Sequence, residues 1–228
     1  MKKLSSKQKI LMGCVAMILA IIGDYLLGFD TFNESTAQDA YLGIQWNVIA
    51  DWRLASSSIL GFVCAPFFYV AVVEVLKVMT EKFDLGDSVL FKLFKYANWA
   101  GVFYFAFIHI CICMLVVVFN AGMGETGDVV SSVDMMLRVL KSIAIPLLAG
   151  YIICDLGVTI AWIGMVLKGL IPVKKILLIC NPIFIAIVGN FANYLANGLD
   201  SGFESLGWLL MYLVCAVFLT KDNEERKY

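Results

Sequence analysis

Histidine occurs once in this chain, proline four times, and charged side chains make up only 15% of its 228 residues. One histidine cannot build a bis-histidine haem site, and it leaves a histidine-based zinc hydrolase short of ligands. Every lysine lies at or beyond the end of an apolar run, so none is placed for a retinal Schiff base. The arginine ladder of a voltage sensor is missing, as are a P-loop, a Gly-x-Ser-x-Gly elbow and a Gly-x-Gly-x-x-Gly turn. Seventeen basic residues against eighteen acids leave no basic excess, which excludes nucleic acid as a partner. None of the seven cysteines falls in an outer loop, so they read as small apolar packing residues rather than a disulfide framework. Cys111 and Cys113, two apart on a helix, point to different faces and make no metal clamp. No cofactor and no metal are expected.

What fills the chain is apolar surface. The hydrophobic fraction is 61% and the mean hydropathy +0.88, whereas a soluble domain runs near half apolar and a quarter charged. Such a chain is not disordered, and its expected partner is the lipid bilayer. The expected fold class is an all-α, polytopic transmembrane helix bundle, one domain over 1–228. Six stretches suit a hydrocarbon layer of roughly 30 Å at about 20 residues per helix. They are 10–28, 54–78, 97–119, 142–167, 173–195 and 205–220. All are too long and too continuously apolar for the strands of an outer-membrane barrel. Asp24 interrupts the end of the first, and no small-x-small site follows cleanly, so that span reads as a retained helix and not a cleaved leader.

Loop charges set the orientation. Fourteen of the seventeen Lys and Arg lie at the N-terminus, between Lys77 and Lys95, between Lys168 and Lys175, and in the tail from Lys221. The opposite loops hold Arg53, Arg138 and Lys141, with the acids Asp30, Glu34, Asp39, Asp51, Glu125, Asp128, Asp134, Asp200 and Glu204. Basic loops stay cytoplasmic, so both termini are expected inside a multi-pass protein of the plasma membrane. The aromatic loop at 29–53 is expected on the outer surface, and Gly122, Gly124 and Gly127 predict a flexible loop over 120–134.

In hydrocarbon the informative residues are polar, because an ionisable group there is costly unless paired or wet. Asp24, His109, Asp155, Asn190 and Asn193 all fall inside spans. At 1.5 Å per residue from the inner end, Asp24 lies about 21 Å up, His109 and Asp155 about 18 Å, and Asn190 about 25 Å. These depths share one slab slightly outside the midplane. Asn98, Phe105 and His109 follow one helical face, and so do Tyr151, Asp155, Thr159 and Trp162. Pro182, Ala186, Asn190, Asn193 and Asn197 form a further stripe, and a polar stripe is expected to face away from lipid. Arg53 is the outer base nearest Asp24, and the two are expected to pair. Structural readings stand beside these. Asp24 with Arg53 suits an interfacial ion pair, His109 a hydrogen-bonded core residue, and the asparagines interhelical links. Glu74, beside Lys77, is expected to be solvated. Pro66, Pro146 and Pro182 each remove a donor within a span and favour a kink.

The run Ile22-Gly23-Asp24-Tyr25-Leu26-Leu27-Gly28, then Asp51-Trp52-Arg53-Leu54, the lone His109 and Asn181-Pro182 resemble an uncharacterised family of bacterial six-helix integral membrane proteins. The resemblance covers nearly the whole chain. It implies six helices in a bacterial plasma membrane and no assigned activity. It makes Asp24, Arg53 and His109 the first positions to test.

Two functions fit these residues. One is a protein that binds or transports a small molecule in a polar pocket on the outer side, with Asp24, Arg53, His109, Asp155, Asn190 and Asn193 as its ligand-binding set. An acidic mouth there favours cationic or neutral ligands. The other is an intramembrane enzyme on a lipid-like substrate, with His109 and Asp155 or Asp24 as acid and base. A plainer alternative is an accessory subunit, in which Gly23, Gly61, Ala65, Gly150 and Gly157 serve helix packing alone.

Overall fold

Helix starts in this chain are written in single polar side chains. Ser88 Oγ accepts the backbone N–H of Phe91 at 3.5 Å, Asp128 Oδ2 that of Ser131 at 2.9 Å, and Asn181 Oδ1 that of Phe184 at 2.9 Å. Each satisfies an N–H group that a helix start leaves without a partner. The stops are as local. Asp84, Gly127 and Gly169 take φ of 53°, 65° and 65°, the left-handed conformation that ends a helix.

The computed structural model describes residues 3–28, 36–38, 45–47, 49–192, 195 and 199–220. Its helices are α1 (Ser6–Gly28), α2 (Asp51–Phe83), α3 (Val89–Thr126), α4 (Val129–Tyr151), α5 (Gly157–Leu167), α6 (Pro182–Ala192) and α7 (Phe203–Phe218). A π-helical turn, Ile152–Leu156, joins α4 to α5, so Val129–Leu167 runs as one rod of 39 residues. Short 3-10 turns, Lys175–Ile179 and Leu199–Gly202, precede α6 and α7. Between α1 and α2, β1 (Thr36–Gln38) and β2 (Gln45–Asn47) pair antiparallel with Ala37 opposite Trp46.

Five helical segments are long and apolar enough to cross a membrane: α1, α2, α3, the α4–α5 rod and the segment ending in α7. The predicted span at 173–195 is different. Among the described residues its α-helix, α6, has 11 residues, and about 16 Å of helix is half a hydrocarbon layer. The chain climbs beside α5 before that helix begins: Trp162 Nε1 donates to the Leu177 carbonyl at 3.4 Å, and Thr159 Oγ1 to Asn181 Oδ1 at 3.2 Å. Asn181-Pro182 is therefore a helix start and not a kink, with asparagine as cap and proline in the first turn, where a missing N–H costs nothing. Pro66 and Pro146, by contrast, lie within the unbroken α2 and α4.

α1 and α7 run antiparallel. Gly28 abuts Ser201, Asp24 meets Ser205, Cys14 Sγ lies 3.8 Å from the Leu209 carbonyl, and Gly13 abuts Tyr212. The start of α1 and the end of α7 therefore share one end of the bundle, called the inner end below. Along α2 the buried residues Leu54, Ser57, Gly61, Cys64, Phe68, Ala71, Val75 and Met79 recur every three or four positions, one stripe facing the bundle. Lipid tails are as apolar as leucine, so packing and hydrogen bonds hold such helices together. Phe68 is the hub, with ring centroids 5.0 Å from Phe105, 5.6 Å from Trp208 and 5.3 Å from Tyr212. Tyr212 Oη donates to Asn98 Oδ1 at 2.6 Å, and Asn98 Nδ2 to the Phe94 carbonyl at 2.8 Å.

Two expectations fail at the bundle's ends. The 120–134 segment is no flexible loop: α3 continues to Thr126, α4 begins at Val129, and only Gly127 and Asp128 turn the chain. Gly122 lets the two helices touch, since a Cβ there would sit 2.9 Å from Ser132 Cα. Leu115, Phe119, Val133 and Met136 fill a small core in this hairpin, and Asn120 bonds both backbone groups of Ile49, at 3.2 and 2.6 Å. At the inner end Glu74 is buried, not solvated; it accepts from Ser6 Oγ at 2.6 Å and from Lys9 Nζ at 2.9 Å. Those two donors replace the water the carboxylate gave up.

Candidate functional site

His109 projects from the middle of α3 into a slot made by two glycines. A Cβ on Gly61 of α2 would come 2.6 Å from the ring Cδ2, and one on Gly23 of α1 would come 2.9 Å from Nε2. Any side chain at either position meets the imidazole. Ser57, one turn before Gly61, completes the slot. Its Oγ donates to the Gly23 carbonyl at 2.8 Å and lies 2.7 Å from His109 Nε2.

These two short contacts assign the imidazole protons. A hydroxyl has one proton, and the Gly23 carbonyl can only accept, so the serine proton belongs to that carbonyl. Nε2 is then the donor to Ser57. The other ring nitrogen, Nδ1, lies 3.4 Å from Asp24 Oδ1. A lone pair facing a carboxylate at that distance is repulsive, so one further proton resides on Nδ1 or on Asp24. Asp24 Oδ2 accepts from Ser205 Oγ at 2.7 Å, which ties α1 to the first turn of α7.

A second couple stands on the other side of that turn. The π-helical turn re-aims Asp155 toward α7, where Trp208 Nε1 donates to its Oδ1 at 2.8 Å. Glu204 lies one turn before Trp208 on α7, so its side chain leaves the helix on the same face that meets Asp155. Two carboxyl groups on facing sides of a buried site share a proton, because two adjacent negative charges there are costly. Trp208 already stabilises Asp155 as an acceptor, so Glu204 is the donor.

Asp24, His109 and Glu204 face a single cavity of about 320 Å³, with Tyr151, Ser201 and Ser205 completing its polar wall. Met17, Cys64, Phe105, Ile108, Ile112 and Val116 are among its apolar lining. Phe105 packs edge to face on Trp208 behind it, with ring centroids 5.1 Å apart. Among the described residues no Lys or Arg lines this cavity, and no group of three or more His, Cys, Asp or Glu is placed to hold a metal ion.

The expected ligand set therefore divides. Asp24 and His109 line the cavity, and Asp155 stands behind Glu204. Arg53 is buried and its guanidinium donates to the Tyr25 carbonyl at 3.5 Å, while His109 and Ser205 contact Asp24. Asn190 is exposed near the end of α6, its amide satisfied by the Ala186 carbonyl of its own helix at 3.2 Å. A backbone acceptor one turn away removes the need to face inward. Asn193 lies outside the described residues. Sequence reasoning passed over Ser57, Tyr151, Glu204, Ser205 and Trp208 as site residues. Hydropathy starts the last span at 205, two residues after α7 begins, and so leaves Glu204 in the outer loop. Ser57 carried one signal, its position four residues before Gly61, but Ser56 and Ser58 beside it are equally polar.

The chain belongs to a family of unknown function, DUF6796, whose model matches residues 1–222. No curated protein and no solved structure matches it.

Proposed function

We propose that this chain is a multi-pass protein of the plasma membrane that binds a small organic cation in the cavity between α1, α3 and α7 and carries it across the bilayer. One observation carries the reading: Asp24 and Glu204, from different helices, line one cavity that no Lys or Arg enters among the described residues. Acidic groups at membrane depth attract positive charge strongly, because little solvent screens them. The volume lies at the small end of ligand pockets, which suits an amine or quaternary ammonium ion rather than a lipid. Support comes also from the broken crossing at 173–195, since interrupted helices recur where transporters hold their substrates. The positive-inside distribution of Lys and Arg puts the cavity on the outer side.

The test is calorimetry and thermal unfolding of the protein in nanodiscs with an alkylammonium series, from methylammonium to tetraethylammonium. The expected result is saturable binding by at least one cation, absent for neutral and anionic analogues of equal size. Asp24→Asn and Glu204→Gln are expected to weaken it. Equal response to neutral analogues, or no response to the whole series, overturns the reading.

An acid–base enzyme is the second reading, because Ser57, His109 and Asp24 stand in the order of a Ser-His-Asp triad. Ser57 is fully buried, does not line the cavity, and gives its proton to a backbone carbonyl. A nucleophile must reach its substrate, so this reading ranks below the first. Labelling of Ser57 by a fluorophosphonate, read by mass spectrometry, would reverse that order.

A further inference from the structure

We propose that the cavity exchanges its cation for a proton, the Glu204–Asp155 couple being the element that releases one as the cation enters, so that the chain acts as a proton/cation antiporter. The inference rests on the cation-binding reading above and adds to it the coupled ion and the groups that hold it.

The hydrogen-bond pattern sets the proton inventory. The buried Asp155 with Glu204 beside it holds one proton between two carboxyl groups, and the Asp24–His109 couple holds one beyond that on Nε2. Together the four groups then carry one net negative charge. The two couples differ in exposure to the cavity. Both Asp24 and His109 line it, whereas Glu204 lines it alone and screens Asp155, which is nearly inaccessible and fixed by the Trp208 indole. The resting Glu204 donates its proton backward to Asp155 and offers the cavity a neutral carboxyl group. It becomes a full counter-ion only when that proton leaves.

A second negative charge on this couple is tolerable only with a positive charge beside it. Cation and proton therefore compete for the same two carboxyl groups, and linkage makes the competition reciprocal: whatever protonation costs cation affinity, the cation costs proton affinity. The step balances. One O–H bond of the couple breaks, its proton passes to water in the cavity, and one monovalent cation replaces it without change in net charge. Glu204 and Asp24 line the same cavity, so both couples feel the incoming charge.

Other titratable or charged groups face this set without offering a competing base. Tyr151 at the end of α4 senses Glu204, Asp155 and Asp24, and Cys154 in the π-helical turn senses Asp155 and Glu204. From α2, Cys64 faces Asp24, while Arg53 holds the Tyr25 carbonyl. Asp200, just before α7, acts on Tyr25. Among the described residues the side-chain donors that reach the two couples are Ser205 and Trp208, with Ser57 against the imidazole.

The experiment is titration calorimetry of the wild-type protein in nanodiscs with the tightest alkylammonium ion, repeated in buffers of different ionisation enthalpy. The expected slope is about one proton released per cation, equivalent to a tenfold gain in affinity per pH unit as pH rises. Asp155→Asn is expected to bring that slope toward zero and to flatten the pH dependence. In liposomes enclosing a pH dye, an outward cation gradient is expected to drive protons inward, and Glu204→Gln to abolish the signal. Absence of any heat in the wild type overturns the cation reading itself. Binding whose heat is independent of buffer, with no dye response, leaves cation binding in place and overturns the exchange.

Discussion

Glu74 and Asp24 are two acids held between α1 and its neighbours, one at each end of the bundle, and they are treated in opposite ways. Glu74 meets a full positive charge at 2.9 Å and a hydroxyl at 2.6 Å. Asp24 meets a hydroxyl at 2.7 Å and an imidazole at 3.4 Å, and it lines the cavity. A matched carboxylate locks two helices, since its lone pairs and charge are spent on neighbours. An incompletely matched one beside a cavity keeps a demand for positive charge that a ligand can meet. The inner half of the bundle is built on the first principle, around Phe68, Phe94, Met79 and Trp162. The outer half is built on the second.

The comparison breaks most visibly at the cavity. Glu204→Gln or Asp24→Asn is expected to lower affinity for the alkylammonium ion about a hundredfold, near 2.7 kcal/mol, while leaving the unfolding midpoint within a few degrees. Calorimetry paired with thermal unfolding separates the two quantities, and a collapse of the midpoint with no loss of affinity reverses the assignment. The opposite profile is expected at the inner end. Lys9→Met strips a buried carboxylate of its cation and should cost about 2 kcal/mol, less than a wholly buried pair because Lys9 is 37% exposed. Denaturant titration in mixed micelles reads the loss, and the cation affinity should stay unchanged.

Gly61→Ala sharpens the link between the two. The new methyl group would lie 2.6 Å from the His109 ring, so about 1–3 kcal/mol of overpacking is expected. Because that ring also faces Asp24, affinity should fall with stability. A gain in stability without loss of binding shows that the slot does not position the imidazole. The smallest effect is expected at the hairpin tip. Hydrogen bonds from the Ser131 hydroxyl and then its backbone hold the Asp128 carboxyl below its usual range. A lowered folded value means that the cap supports α4 above the ordinary carboxylate range and fades as pH falls through the folded value. Amide exchange near 129–132 should accelerate on acidification in the wild type and be fast at all pH in Asp128→Ala, with cation binding untouched.

Much of the architecture was legible because bilayer thickness turns hydropathy into helix length. The first three apolar runs and the fourth fall inside α1, α2, α3 and the α4–α5 rod. The lone histidine and the acid near the end of the first span were singled out, and they do face one cavity. The failures have one physical origin. Glycine, asparagine and proline have several uses, and spacing alone does not choose among them. Gly122 was read as a loop residue and is a contact residue; Pro182 was read as a kink and opens a helix. Asn190 was placed inward by periodicity, yet its amide is satisfied by its own backbone. Charge sign points from Arg53 to Asp24, but it says nothing of the hydroxyl and the imidazole that contact that carboxylate.

By itself the sequence determined that this chain is a bundle of apolar helices, where most of them begin and end, and which end carries the basic loops. Those properties are local or additive, set by side-chain transfer into hydrocarbon and by counts of charge. Only the tertiary structure decided that Glu204 turns from the outer loop into the cavity, that Asp155 gains Trp208, and that Gly23 and Gly61 make room for one imidazole. Those are contacts between residues more than thirty positions apart. Which partners meet depends on how whole helices lean and turn against each other, and no single stretch of sequence carries that information.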